Sequence, residues 1–371
     1  MLNFIYNWGG GITSENARRL CWSGTPYSIL TALKKYTSVN DVAIAPYSES
    51  IRKKLLYKVK YGNEFSIPQI RDGVKKINSM YLTSGTPCLM FGEYISKYIK
   101  DSYVYQDCTV DYIVRLHKED SNISQYSPMP GNANTLAITA RLDNATRYNQ
   151  SCKGIFTMSE WLAKDLIENS DIPSEKVHPV GGGCNIDLER VDHSKKEGNR
   201  FLFIGKAWNR KNGPLVVAAF KRLRQKYSDV ELYVAGPATK PSEVDGEKGI
   251  LYLGQLSYDQ LVEYYNLCDF FVMPSQFEAY GLVFAEALIY GLPCIGKRCF
   301  AMPEFIKDGD NGYLIDADDE DELCGKMEML LSNKKMAQNV IGGMTYYKNK
   351  YSWDSVAKRM LEIIRQDGYA I

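Results

Sequence analysis

The sequence predicts an α/β protein of two domains, each a parallel β-sheet flanked by helices. The chain has 371 residues, and one domain typically holds about 100–200 residues. In the second half, short apolar runs alternate with amphipathic stretches, which is the pattern of repeated strand–helix–strand units. Most of these runs end in glycine or proline, so the backbone there can approach a ligand closely at the carboxyl edge of the sheet.

Composition narrows the class of protein. Hydrophobic residues make up 45% of the chain and charged residues 24%, and no apolar run of about 18 residues occurs, so the sequence predicts a globular protein without a membrane span. A formal net charge of +1 speaks against a broadly basic surface for nucleic acid. Nine cysteines without a Cys-x-x-Cys pair, and no evident secretory signal, predict reduced thiols in a cytoplasmic protein.

The second half gives the clearer series of elements. Amphipathic helices are expected over 213–227, 259–268 and 281–291. The strands between and around them are expected to end at Gly205, Gly236, Gly254, Pro274 and Gly296. Parallel strands end at one edge, so the sequence predicts that the loops after these positions form the ligand-binding side of the sheet.

The first half alternates less regularly. A helix is expected over 25–36, with Ser23 or Thr25 as its cap. Strands are expected at 3–8, 41–48, 102–107 and 153–159. The polar stretch 191–199 is the expected join between domains 1–190 and 198–350, and a last amphipathic helix is expected to end at 366.

Three cations follow the first strand of the second half. Lys206, Arg210 and Lys211 fall within six residues, at the edge where a ligand is expected. Their charge suits a diphosphate. The alternative is a solvated loop without a ligand, which is how most charge runs are used.

Two acids lie around the start of the helix expected near Gly281. Glu278 precedes the helix and Glu286 lies inside it, while the free N–H groups of 279–283 are predicted to point at an anion. Carboxylates beside such a site can accept hydrogen bonds from hydroxyls. The alternatives are a first-turn acid favoured by the helix dipole and an acid on the helix surface.

Glu278 and Glu286, with seven residues between them, followed by GLPCIG and PEFIKDGDNGYLI, resemble the signature of family-4 retaining glycosyltransferases with the GT-B fold. The resemblance covers most of the chain and includes FLFIGKAWNRKNG and the closing YSWDSVAKRMLEII. It implies two Rossmann-like domains facing each other across a cleft. The N-terminal domain, 1–190, would bind the acceptor and the C-terminal domain, 198–350, the nucleotide-sugar, with 350–371 crossing back to the first.

Residue roles follow from the resemblance by position. Lys206 and Lys211 would contact the donor diphosphate and Glu278 the donor sugar. Asp107 is the candidate for the sugar-facing position at which many members have a histidine. These four are the predicted catalytic residues. The predicted donor-binding residues, with Glu286 on the ribose, are Gly24, Thr25, Gly205, Arg210, Gly236, Ala279, Tyr280, Gly281, Leu282 and Glu286.

The implied activity is retaining, hexosyltransferase-like transfer from a nucleotide-diphosphate sugar to a glycan or lipid-linked acceptor, in polysaccharide or glycolipid assembly. No metal or other cofactor is expected, because cations and amides replace it. The acid pairs Asp308/Asp310 and Asp316/Asp318 are interpreted as turn or cap residues. Two alternatives stay open: another GT-B enzyme, such as a sugar-nucleotide epimerase or a phosphorylase, and a non-catalytic sugar-nucleotide-binding module.

A basic amphipathic stretch lies at 49–62. As a helix it would place Ile51 and Leu55 on one side and lysines such as Lys53 and Lys54 on the rest. Such a helix can lie on the anionic inner face of a membrane, close to a lipid-linked acceptor. The alternative is a helix packed by its apolar face with solvated lysines.

Overall fold

The structure is a computed structural model of the chain. It describes residues 1–7, 21–44, 85–93, 101–119, 135–194, 196 and 198–371. Two compact units emerge from the contacts within the chain. The N-terminal unit consists of Met1–Gly183 with Trp353–Ile371, and the C-terminal unit is Cys184–Ser352. The basic stretch 49–62 lies outside the described residues.

Among its described residues, the N-terminal unit has a parallel sheet in the order β2-β1-β3-β4-β5-β6. The strands are β1 (Leu2–Asn7), β2 (Val39–Ile44), β3 (Cys88–Phe91), β4 (Ser102–Gln106), β5 (Gly154–Thr157) and β6 (Val177–Pro179). The helices are α1 (Thr25–Leu33), α2 (Val110–Glu119), α3 (Thr135–Ser151), α4 (Glu160–Asn169) and, from the end of the chain, α12 (Trp353–Gln366).

The central strands of this sheet are buried by the helices that pack on it. All residues of β3, β4 and β5 are buried, as expected for parallel strands covered on both faces by helices. Ile155 and Val104 pack into one apolar cluster with Leu162 of α4. Helix α4 starts where the Ser159 hydroxyl accepts a hydrogen bond from the Leu162 amide at 3.4 Å, a typical N-cap.

Helix α12 belongs to the N-terminal unit although it comes last in the chain. It packs beside α1: Lys35 Nζ lies 2.9 Å from Asp354 Oδ1, and Lys358 Nζ lies 5.2 Å from the centre of the Tyr36 ring. Farther along, Arg359 Nε donates to the Val180 carbonyl at 2.7 Å.

The C-terminal unit has a second parallel sheet, in the order β12-β11-β10-β7-β8-β9. Its strands are β7 (Arg200–Ile204), β8 (Glu231–Ala235), β9 (Ile250–Gly254), β10 (Phe270–Val272), β11 (Cys294–Lys297) and β12 (Gly312–Ile315). The helices are α5 (Gly213–Lys226), α6 (Tyr258–Leu267), α7 (Leu282–Ile289), α8 (Met302–Phe305), α9 (Glu320–Ser332), α10 (Lys334–Gly342) and α11 (Met344–Lys350).

Local signals in the sequence set the helix starts of this unit. Ser257 and Gln260 form a reciprocal capping box at the start of α6. Asp319 accepts the Glu322 amide at 2.8 Å and starts α9. Within the described ranges, every helix is too short or too polar to cross a membrane.

Candidate active site

In the C-terminal sheet, the order in which strands are added reverses between β7 and β10. The chain runs from β7 to β8 and β9 on one side, then returns to place β10 on the other side of β7. In open parallel sheets, ligands bind outside the carboxyl ends of the strands at such a switch point. Two loops leave the sheet here, 205–212 after β7 and 273–281 after β10, and they carry most of the predicted site residues.

Hydrogen bonds join these two loops. The Arg210 carbonyl accepts from the Gln276 amide at 2.8 Å and from the Ser275 hydroxyl at 3.0 Å. In the other direction, Arg210 Nη1 donates to the Phe277 carbonyl at 2.6 Å. Since each loop holds the other, their charged side chains are fixed relative to one another.

Glu278 lies between two of the predicted cations. Its Oε2 forms an ion pair with Lys211 Nζ and lies 3.8 Å from Arg210 Nη1. Lys211 is 9% and Glu278 8% exposed. Burial lowers the pKa of Lys211, and the Glu278 charge opposes that shift. Two cations around one carboxylate leave a net positive charge, so an incoming anion would compete with Glu278 for Lys211.

Lys206 is exposed on the same loop. Its backbone lies where two strand ends meet, because the Gly205 amide donates to the Ala235 carbonyl at 2.9 Å. Gly236 follows β8 with a φ of 118°, and a Cβ on it would lie 2.5 Å from the Gly205 carbonyl carbon and 2.8 Å from the Lys206 nitrogen. Only glycine fits this close approach without moving the Lys206 loop.

The start of α7 lies beside Glu278. Gly281 is the N-cap residue with a φ of 100°, and no side chain caps the helix. A Cβ on Gly281 would lie 3.1 Å from Glu278 Cγ. The predicted amide donors divide between the loop, with Ala279, Tyr280 and Gly281, and the first helical residue, Leu282. A helix end of this kind favours an anion.

Glu286 lies inside α7 and is buried, at 4% exposure. Its carboxyl accepts from the Tyr265 hydroxyl at 2.9 Å and from the Asn185 amide at 3.4 Å. Burial raises the pKa of Glu286 to about 7. The interpretation of Glu286 as an acid on the helix surface is therefore wrong, while its predicted contact with a ribose stays a prediction.

Gly24 and Thr25 lie in the N-terminal unit, at the start of α1. Gly24 is the N-cap residue with a φ of 82°, and Thr25 is buried. Trp22 and Ser23 also have left-handed φ values, of 49° and 56°. The predicted side-chain cap by Ser23 or Thr25 is wrong, because a capping side chain needs an extended backbone at that position and the chain enters α1 through left-handed residues.

Asp107 directly follows β4 and is exposed. Its neighbour Gln106, the last residue of β4, is only 3% exposed, and neither atom of its side-chain amide has a hydrogen-bond partner among the described residues. Both residues lie at the carboxyl end of the N-terminal sheet. The role of Asp107 in the activity stays a prediction.

The acid pairs after β11 and β12 have mixed roles. Asp308 Oδ1 accepts the Leu314 amide at 2.9 Å, in agreement with a turn role. Asp318 caps no helix, since the cap of α9 is Asp319, so that part of the interpretation is wrong. Instead, Asp318 accepts hydrogen bonds from three side chains of neighbouring strand ends, which the sequence did not reveal. Across the described residues, no three His, Cys, Asp or Glu side chains gather as metal ligands would.

Known proteins resemble this chain in part. Residues 185–343 match the family described as Glycosyl transferases group 1. The serotype-specific mannosyltransferase WbdA of Escherichia coli is 27% identical over 225 residues, which cover 55% of this chain and 27% of WbdA. The lipopolysaccharide 1,2-N-acetylglucosaminetransferase of Salmonella typhimurium is 28% identical over 177 residues, 43% of this chain and 46% of that enzyme.

A solved structure is similar over nearly the whole chain. WaaG, a glycosyltransferase involved in lipopolysaccharide biosynthesis, matches with a TM-score of 0.65 at 14% identity and covers 98% of this chain and 99% of that chain. With two parallel sheets and their flanking helices, this likeness defines a two-domain α/β protein of the GT-B class, and the predicted fold class is confirmed. The chain spans less than half the length of the two enzymes from Escherichia coli and Salmonella.

Proposed function

We propose that this protein transfers a sugar from a nucleotide-diphosphate sugar to a hydroxyl acceptor and retains the anomeric configuration. The observation that carries the proposal is the cluster of the buried Lys211 and Glu278 with Arg210 at the switch point, beside an uncapped helix start. Cations and amides fixed in this way can stabilise the charge that develops on a leaving diphosphate. The family match of this unit supports sugar transfer, and the two bacterial relatives support a place in cell-surface glycan assembly.

In the proposed mechanism the bond between the anomeric carbon and the diphosphate oxygen breaks, and the acceptor oxygen forms its bond on the same face. The leaving diphosphate, held by Lys206, Lys211 and the start of α7, takes the proton of the acceptor hydroxyl. Glu278 orients the donor sugar by accepting hydrogen bonds from its hydroxyls, and Glu286 holds the ribose. No acidic residue has to become a covalent nucleophile.

We also propose that transfer needs no metal ion. In the proposal, the cations beside Glu278 neutralise the diphosphate, which is the role that a divalent cation plays in metal-assisted phosphoryl chemistry. Activity should survive an excess of EDTA. Loss of activity that magnesium or manganese restores would overturn this part of the proposal.

The proposed acceptor is a glycan or lipid-linked molecule, reached at the inner face of a membrane through the stretch 49–62. If so, the protein should co-sediment with anionic but not neutral vesicles, less at high salt, and Lys53→Glu with Lys54→Glu should abolish binding. Equal pelleting of wild type and variant would favour an acceptor in solution.

A screen of ligands tests the activity itself. Nucleoside diphosphates and their sugars should raise the unfolding temperature, since a ligand at 100 times its dissociation constant stabilises by about 2.7 kcal/mol. With the best donor, nucleoside diphosphate should be released faster when an acceptor is added. Product analysis that finds an epimerised sugar, or phosphate-dependent cleavage, would favour the two alternative GT-B enzymes. Binding without any turnover would favour a non-catalytic module.

A further inference from the structure

One carboxylate connects the strand ends that carry the candidate site. Asp318 Oδ1 accepts from Asn212 Nδ2 at 2.7 Å and from Lys297 Nζ at 2.9 Å, and Asp318 Oδ2 accepts from Gln276 Nε2 at 2.7 Å. Lys297 Nζ also lies 3.4 Å from Gln276 Oε1. The four side chains therefore form one network of charge-assisted hydrogen bonds centred on Asp318.

The four residues come from adjacent strands. Asp318 follows β12, Lys297 ends β11, Gln276 follows β10 and Asn212 closes the loop after β7, and these strands lie side by side in the order β12-β11-β10-β7. Two of them adjoin the proposed donor site. Asn212 is the residue after Lys211, and Gln276 comes two residues before Glu278.

Local structure does not require this network. Asp319, not Asp318, caps α9. Asn212 is the N-cap residue of α5 with a φ of 61°, yet its side chain makes no cap hydrogen bond and instead donates to Asp318. Asn212 is also buried, at 7% exposure, so its amide depends on Asp318 for an acceptor.

We infer that Asp318 is a positioning residue, which ties the β7 and β10 loops together so that Lys211 and Glu278 meet the diphosphate in a fixed geometry. This inference rests on the proposed function, since the ligand is the donor diphosphate. Asp318 touches no reacting atom and acts through Asn212 and Gln276.

The direction in which pyrophosphate affinity changes when Asp318 is replaced distinguishes a positioning role from an effect of its charge. Asp318 is an anion near a cationic site, so the loss of its charge alone should tighten the binding of inorganic pyrophosphate. Loss of a positioning contact should weaken it, by about tenfold for a supporting residue of this kind. Isothermal titration calorimetry with pyrophosphate measures this without any knowledge of the base, sugar or acceptor.

We expect Asp318→Ala to weaken pyrophosphate binding about tenfold, and Asp318→Asn, which keeps an acceptor oxygen, to bind as tightly as wild type or more tightly. Asn212→Gly removes one of the three donors to Asp318, at a φ that glycine adopts freely; it should weaken pyrophosphate binding by no more than Asp318→Ala does, and the double variant should bind as Asp318→Ala does. The control Asp319→Ala removes the α9 cap, so it should lower the unfolding temperature and leave pyrophosphate affinity unchanged.

Wild-type affinity in Asp318→Ala, or tighter binding, would overturn the inference and leave the proposed function intact. The same holds if Asp319→Ala weakens pyrophosphate binding as much as Asp318→Ala, since the effect would then follow stability. Failure of the wild-type protein to bind pyrophosphate or any nucleoside diphosphate would overturn both.

Discussion

Gly236→Ala should disturb the donor site through one added methyl group. The new Cβ would lie 2.5 Å from the Gly205 carbonyl carbon, 2.7 Å from its oxygen and 2.8 Å from the Lys206 nitrogen. All three are backbone atoms, so no flexible side chain can move aside. Real Cβ contacts stay above 3.0 Å, and the Gly205–Lys206 segment must therefore shift by about 0.5 Å, the difference between 3.0 and 2.5 Å.

Two costs add in this variant. A left-handed φ of 118° at an alanine costs roughly 1–3 kcal/mol, and forcing a methyl group into a packed site costs roughly 1–3 kcal/mol more. We expect the free energy of unfolding to fall by about 2–6 kcal/mol. Because Lys206 moves with Gly205, donor turnover should fall on the order of tenfold or more, since displacements near 1 Å can cost about 100-fold.

Gly246→Ala is the matched control. Gly246 also has a left-handed φ, of 72°, but nothing lies within 4 Å of its added Cβ, so it should lose only about 1–2 kcal/mol. Urea unfolding compares the two stabilities, and steady-state kinetics with the best donor compares the two activities. If Gly236→Ala were no less stable and no less active than Gly246→Ala, the close approach would have no role in the site.

Three further predictions concern charged groups of the C-terminal unit. Lys211→Ala should lower kcat on the order of 100-fold, and Lys206→Ala similarly or less, because a charge-stabilising group is lost. Glu278→Gln should slow transfer but tighten pyrophosphate binding in calorimetry, by roughly tenfold, because Lys211 no longer pairs with a competing carboxylate. The pKa of Glu286 is raised from 4.5 to about 7 in the folded protein. Its contribution to stability is therefore greatest below about pH 4.5 and falls by up to about 3 kcal/mol as pH rises to 7. Urea unfolding across that range should show the fall in wild type but not in Glu286→Gln.

Each of these three predictions has an outcome that would contradict it. Unchanged turnover in folded Lys211→Ala and Lys206→Ala would remove the assignment to the diphosphate. Weaker pyrophosphate binding in Glu278→Gln would show that its carboxylate does not compete with the ligand. A pH dependence that persists in Glu286→Gln would assign the titration to another group.

The sequence predicted the features that depend on neighbouring residues. The apolar run before Gly205 and the helix start near Gly281 are local patterns, and the structure has both, with β7 ending at Ile204 and α7 beginning at Leu282. The ion pair of Lys211 with Glu278 joins residues 67 apart in the chain. This ion pair forms because β10 lies beside β7. Local sequence patterns do not specify the strand order, so the pair could not be predicted from them.

The two wrong predictions of helix caps, at Asp318 and at Ser23, have the same physical cause. Asp318 and Asp319 are adjacent and chemically identical, so only the exact start of α9 decides which one caps it and which one turns to Asn212. Ser23 precedes α1 as a cap residue would, yet its φ of 56° directs the chain into the helix without a side-chain cap. Backbone geometry that depends on tertiary contacts decided both cases.

The return of α12 to the N-terminal unit has a consequence for the order of folding during synthesis. This unit needs Trp353–Ile371 in addition to Met1–Gly183, so Lys35 and Tyr36, which follow α1 and meet Asp354 and Lys358, stay uncovered while residues 184–352 are made. At about 5–20 residues per second, translation of that stretch takes roughly 10–30 s. The unit that emerges from the ribosome first is therefore completed last, and the C-terminal unit has time to fold on its own before it.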